Sequence, residues 1–130
     1  MTKPIRTAML IDDEDFDQRQ YKRVLTKSGL VETVLQFTYA EDALAHIQAH
    51  PGLVIDVIFL DINMPRMNGF EFLEEATTKF GPDFVKTVVV MLTTSLNPND
   101  RTRAESYEVV RYFINKPLTQ EHVAQVAELV

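Results

Sequence analysis

The 130-residue chain contains no cysteine, which excludes disulfides, thiolate metal sites and cysteine nucleophiles, and permits a reducing compartment. Any chemistry must come from oxygen and nitrogen groups. Glycine and proline are scarce, 4 and 6 residues, beside 45% hydrophobic and 25% charged residues. That balance excludes the fibrous and disordered classes and leaves an ordinary globular composition. A basic excess is also missing: 13 Lys and Arg face 19 Asp and Glu, net −6, and the basic residues are scattered. Nucleic-acid phosphates would repel such a domain, so no direct DNA or RNA binding is expected. No run approaches the roughly 18 apolar residues of a membrane span. The opening "MTKPIRTAMLIDD" reaches two aspartates after too short an apolar run for a secretory signal. The expectation is a cytoplasmic protein without membrane contact, and residues 1–130 suffice for one domain around one core.

What is present is a strand–helix alternation. "TAMLI" is a nearly continuous apolar run of the kind buried on both faces of a sheet. In "DFDQRQYKRVLTKSG" Phe16, Arg19/Gln20, Arg23/Val24 and Lys27 mark a helical face, with Gly29 just past the helix end. "ETVLQF" and "AEDALAHIQAH" repeat the order, with Ala40, Ala43, Leu44 and Ile47 at helical spacing before Pro51 and Gly52. "VIDVIFLD" is the most strand-like run, and "GFEFLEEATTKF" follows as an amphipathic helix with Phe70, Leu73 and Ala76 on one side, closed by Gly81 and Pro82. "KTVVVML" precedes the helix "NPNDRTRAESYEVV", where Asn97 is the N-cap and Pro98 the first helical residue. "RYFIN" is a fifth strand, and "KPLTQEHVAQVAELV" a last helix capped by Thr119 with Val123, Val126, Ala127 and Val130 on one face. Five such repeats predict an α/β fold with an open, doubly wound parallel sheet and helices on both faces; a closed (βα)₈ barrel needs about twice the length.

In open α/β sheets, ligands sit outside the carboxyl ends of the strands. The first strand ends in Asp12 and Asp13, the third in Asp61, the fourth in Thr93, Thr94 and Ser95, and the fifth in Asn115 and Lys116. Three carboxylates gathered there repel pairwise by about 4 kcal/mol at an effective dielectric near 20. Such a cluster requires a cation. All-oxygen ligands with an open coordination sphere suit Mg²⁺, or Mn²⁺. Lys116 adds a second positive charge and Thr93 a hydroxyl donor. A carboxylate among these groups can receive a phosphoryl group, with Asp61 as nucleophile and an aspartyl phosphate as product.

The segments "LIDDED", "VIFLDINMPRMNG", "VVVMLTTS" and "FINKPL", in that order, resemble the receiver domain of bacterial two-component response regulators over essentially the whole chain. Each motif is common alone; all four in register are specific. The resemblance implies a flavodoxin-like sheet of strand order 2-1-3-4-5, with Asp61 as phosphoacceptor and Asp13 as a direct metal ligand. It also implies Asp12 as a ligand acting largely through water and Asn63 contributing its backbone carbonyl. Thr93 becomes the switch hydroxyl, Lys116 the cation that pairs with the phosphoryl group, and Lys116–Pro117 a cis bond. Where relatives often carry an inward-turning Tyr or Phe, this chain has Phe113, with Tyr112 one place earlier. A Phe can swing but cannot hydrogen-bond, and Thr93 is preferred over Thr94 because the apolar run stops there.

Taken singly, these residues have simpler readings. Asp12 and Asp13 could cap a helix, Asp61 could open a turn before Pro65, the hydroxyls could satisfy backbone groups, and Lys116 could be solvated. Their coincidence at strand ends outweighs those readings. Met64 and Met67 are read as packing, His46, His50 and His122 as surface or half-buried residues, and "EDFD" as a solvated first turn in which Glu14 or Asp15 could modulate a metal. The resemblance implies a non-enzymatic signalling module whose phosphodonor is a sensor histidine kinase or a histidine phosphotransfer protein. With no effector domain after the last repeat, the expected output is phosphorylation-dependent binding of a downstream protein, or a phosphate sink within a phosphorelay. The face formed by the fourth helix, fifth strand and fifth helix of the repeats is the expected contact, for a partner or a homodimer. A Mg²⁺-dependent phosphohydrolase is the alternative. Those enzymes want a second carboxylate two residues after the nucleophile, and this chain has Asn63 there.

Overall fold

The apolar runs become the interior of a five-stranded sheet. In the computed structural model, which describes residues 3–130, β1 (Ile5–Ile11), β3 (Val57–Asp61) and β4 (Val88–Thr93) are central, and β2 (Val31–Phe37) and β5 (Val110–Asn115) are edges. The order is β2-β1-β3-β4-β5 with every pair parallel, the doubly wound, flavodoxin-like arrangement. Every residue of β3 and β4 is buried, whereas β2 and β5 carry exposed positions. A strand covered on both faces has no solvent side, so its sequence need not alternate.

The pleat sends successive residues to two separate cores. Met9 and Ile11 of β1, Ile58 and Leu60 of β3, and Val89 and Met91 of β4 meet α2 (Ala40–Ala49), α3 (Gly69–Phe80) and α5 (Pro98–Glu105). Ala8, Leu10, Val57, Phe59, Val90 and Leu92 meet α1 (Asp15–Lys27) and α6 (Gln120–Ala127) on the opposite face.

Local signals set several boundaries. Gly29 closes α1 in the left-handed region at φ 71°. The Asn97 side chain accepts from the Asn99 backbone N–H at 2.9 Å, and Thr119 forms a capping box with His122.

The structure corrects the sequence reading at five points. The inward face of α1 is Gln18, Tyr21 and Leu25, while Phe16 is 66% exposed; Gln18 is buried because it bonds the carbonyls of Asp12 and Phe37, at 2.8 Å each. β3 begins only at Val57, because Asp56 turns its carboxylate onto the Arg6 and Thr7 amides at 2.8 and 3.2 Å. A short helix α4 (Pro82–Val85) follows Gly81, with proline in its first turn, where a missing N–H costs nothing. α5 stops at Glu105 rather than running to Val110. Val130 lies beyond α6 and is exposed.

Candidate functional site

Strand order reverses between β1 and β3, one side leading to β2 and the other to β4 and β5. At that crevice Ile11 pairs with Leu60, which sets Asp12 beside Asp61. Asp12, Asp13 and Asp61 converge, each offering an oxygen within 4.8 Å of the others. On the far side Thr93 pairs with Asn115, and the Lys116 N–H donates to the Thr93 carbonyl at 2.9 Å, which brings the lysine in from β5. The residues surround a hollow of about 340 Å³ lined by Asp13, Glu14, Asp17, Asp61, Asn63, Thr94 and Lys116, among others.

Lys116 organises the electrostatics. Its Nζ lies 2.9 Å from Asp12 Oδ2, 2.7 Å from Asp17 Oδ2 and 3.6 Å from Asp61 Oδ1. The first two are charge-assisted hydrogen bonds; the third is too long for one. Burial alone would lower the Lys116 pKa, but the hydrogen bonds it donates to Asp17 and Asp12 and the charge of Asp61 hold it well above the usual lysine range. Asp61 is pushed up to about 7, first by burial, then by the charges of Asp12 and Asp13, against the opposing pull of Lys116. Burial also raises Asp12, opposed by the Glu14 amide, which donates to its Oδ1 at 2.9 Å, and by Lys116. Asp12, Asp17 and Asp61 therefore share one ammonium, and Asp13 adds a fourth carboxyl to the cluster. An uncompensated buried acid is costly, and hard oxygen donors of this number suit a small divalent cation, so the residues fit Mg²⁺.

The segment after β3 is folded tightly against the site. The Gly69 N–H donates to the Ile62 carbonyl at 2.8 Å, and a Cβ at Gly69 would stand 2.6 Å from the Asp61 carbonyl oxygen. Arg66 adopts φ 70°, unusual for a side-chain-bearing residue, and is held over the Tyr39 ring at 3.9 Å and against Glu41 at 3.1 Å.

The other expected site residues fall as follows. Asn63 is exposed and lines the hollow. Thr93 is fully buried, and its Oγ1 accepts from the Ser95 N–H at 2.9 Å, leaving its own O–H to donate. Thr94 is the hydroxyl residue on the wall of the hollow. The Lys116–Pro117 bond is cis. Phe113 is half-buried against the α2/α3/α5 core, with the Arg101 guanidinium 5.6 Å from its ring centroid, and Tyr112 packs on the other face. His46 lies between Phe37 and His50, and His122 in its cap; none is in the hollow. Sequence reasoning missed Asp17, which it took for part of a solvated turn. Its partner Lys116 lies 99 residues away in sequence, so no local signal was available.

This fold and site define a receiver. The chain belongs to the response regulator receiver domain family, which matches residues 8–128, and is thus the receiver domain of a two-component response regulator. It is 37% identical over 79 residues to an uncharacterized response regulatory protein of Vibrio cholerae, covering 61% of this chain and 32% of that protein. To response regulator Rcp1 of Synechocystis it is 30% identical over 107 residues, 76% of this chain and 69% of the relative. A crystal structure of a two component response regulator from Cytophaga hutchinsonii superposes with a TM-score of 0.92 at 29% identity, over 98% of this chain and 97% of that one. The chain thus spans about a third of the Vibrio cholerae relative it matches. Among the described residues no helix is long and apolar enough to cross a membrane.

Proposed function

We propose that the chain accepts a phosphoryl group on Asp61 from the phosphohistidine of a sensor kinase or phosphotransfer protein, with Mg²⁺ bound, and signals through a change in protein binding. The observation that carries this is the convergence of Asp12, Asp13 and Asp61 with Lys116 at the strand-order reversal of a response regulator receiver. An Asp61 carboxylate oxygen attacks phosphorus, the P–N bond to the donor imidazole breaks, and the imidazole leaves with a proton. Mg²⁺, held by Asp12, Asp13, Asp61 and the Asn63 carbonyl, would neutralise the acids and the charge of the transferring group. Lys116 supplies a fixed cation beside the same carboxylate, and the buried Thr93 hydroxyl supplies a donor that can follow the new oxygens. Phe113 is the aromatic that would repack with it. The same residues would let the chain promote its own phosphorylation and dephosphorylation, and the alternative role, a phosphate sink or shuttle within a phosphorelay, would use the same chemistry.

A phosphohydrolase acting on external phosphoesters is disfavoured, because Asn63 stands where a second acid would be needed and cannot donate a proton to a leaving group.

Intact-mass spectrometry after incubation with acetyl phosphate tests the reading. One phosphoryl adduct is expected with Mg²⁺, and none with Asp61→Asn or after chelation. An adduct that persists in Asp61→Asn would falsify the assignment.

A further inference from the structure

Asp17 stands four residues past the acid pair, at the third position of α1. An acid there ordinarily reaches back to the N-cap backbone N–H as half of a capping box. In this chain α1 has no side-chain cap, and the N-cap N–H, that of Glu14, is taken by Asp12 Oδ1 at 2.9 Å. Asp17 turns instead to Lys116 and makes its shortest contact, 2.7 Å, against 2.9 Å for Asp12 and 3.6 Å for Asp61. An ammonium has three protons. Two are engaged by Asp12 and Asp17, and the lysine stands beyond hydrogen-bond distance of Asp61. The pair is only partly screened, with side-chain exposures of 10% for Lys116 and 20% for Asp17.

We propose that Asp17 is a positioning residue that holds the Lys116 ammonium back from Asp61 until a phosphoryl group arrives, and so sets the affinity of the site for that group; this rests on the phosphoacceptor reading above. Retention has two consequences of opposite sign. In the unphosphorylated chain it keeps Lys116 from pairing tightly with Asp61, leaving Asp13 and Asp61 open to a divalent cation. When the phosphoryl group is present, the tie to Asp17 must be weakened before Lys116 can pair fully with the new oxygens, and the Asp17 charge opposes theirs.

The test separates these effects in the full chain by amide NMR titration. Mg²⁺ is titrated first, then beryllofluoride at saturating Mg²⁺ as the phosphoryl mimic. Relative to wild type, Asp17→Asn is expected to bind beryllofluoride roughly three- to tenfold tighter, the net scale of one hydrogen bond no longer competing. The same variant is expected to bind Mg²⁺ more weakly, because Lys116 now competes at Asp61. Asp17→Ser should show the same two signs. Asp42→Asn removes an exposed charge from the first turn of α2, outside the site, and should move neither affinity appreciably. A merely loosened site would weaken both ligands together, and that outcome overturns the proposal, as does an effect of Asp42→Asn equal to that of Asp17→Asn. A wild type that takes up no beryllofluoride at saturating Mg²⁺ overturns the phosphoacceptor reading, and the retention role falls with it.

Discussion

Asp61 is held at a protonation balance that the unfolded chain does not share, and this makes one residue visible in the stability of the whole. Its carboxyl sits at about 7 in the fold, raised by burial and by Asp12 and Asp13, whereas an unfolded aspartate titrates near about 4. Between those values the native state binds more protons than the unfolded state, so stability falls as pH rises from about 4 to about 7 and levels off above. The contribution is on the order of 4 kcal/mol over that window. Urea unfolding in EDTA at a series of pH values measures it. Asp61→Asn should flatten the slope and be the more stable chain at pH 7.5, and Mg²⁺ should stabilise wild type more than the variant, since it binds the ionised native site. Equal pH slopes for the two chains would show that the acidic cluster imposes no such cost. Asp17 belongs to the same balance, as the acid that keeps Lys116 charged without being one of the converging three.

The element that delivers Asp61 is as constrained as the residue itself. The turn from β3 into α3 closes on the end of its own strand, and Gly69 is where the backbones touch. A Cβ there would meet the Asp61 carbonyl oxygen at 2.6 Å and the Ile62 Cα at 3.1 Å, both backbone atoms that cannot swing aside. Gly69→Ala is therefore expected to destabilise by about 1–3 kcal/mol and to weaken Mg²⁺ binding by displacing Asp61. Gly52→Ala, with open space around the added carbon, should stay within about 0.5 kcal/mol. Denaturant midpoints of the two variants decide the matter; a neutral Gly69→Ala would remove the argument. Elements of this kind were readable from sequence to different depths for physical reasons. The buried central strands announce themselves because covering both faces makes their runs apolar, and Asn97 and Thr119 are legible because a cap is local chemistry. Asp12, Asp13, Asp61 and Lys116 were legible as strand ends, since a parallel sheet gathers those ends by construction. The inward face of α1 was not, because Gln18 is buried for its hydrogen bonds and not for its apolarity. α4, with 4 residues, is shorter than any period that could reveal it. The Asp17–Lys116 pair spans 99 residues of sequence and has no local trace.

At the scale of the molecule, the site is attached unequally to its two sides. Toward β2, Gln18 fastens the site end of β1 to the edge strand through the Asp12 and Phe37 carbonyls and through Gln36, at 2.8 to 3.0 Å. Toward α5 the connection runs through single bonds. Thr93 Oγ1 accepts from the Ser95 N–H, Ser95 Oγ donates to Asp100 in the first turn of α5 at 2.6 Å, and Asn115 donates to the Ser95 carbonyl at 3.0 Å. α5 buries only Ala104 and is held to α3 by Arg103 over the Phe70 ring at 4.3 Å, and the turn that follows it by the Tyr107 hydroxyl on Glu74 at 3.0 Å. A helix with so little buried area belongs to the low-stability end of a structure and can hold two arrangements of similar free energy. A phosphoryl group that draws the Thr93 hydroxyl to itself would disturb the Ser95 turn and bias α5, β5 and α6 toward a second arrangement, as a population shift. Beryllofluoride with Mg²⁺ should therefore move amide resonances at 93–106 and 110–116 while leaving β2 and α2 near their starting positions. Thr93→Ala should keep the changes at Asp61 and lose those in α5. Shifts restricted to the Asp61 turn in wild type would mean that phosphorylation is read at the mouth of the site, and that this face takes no part in the output.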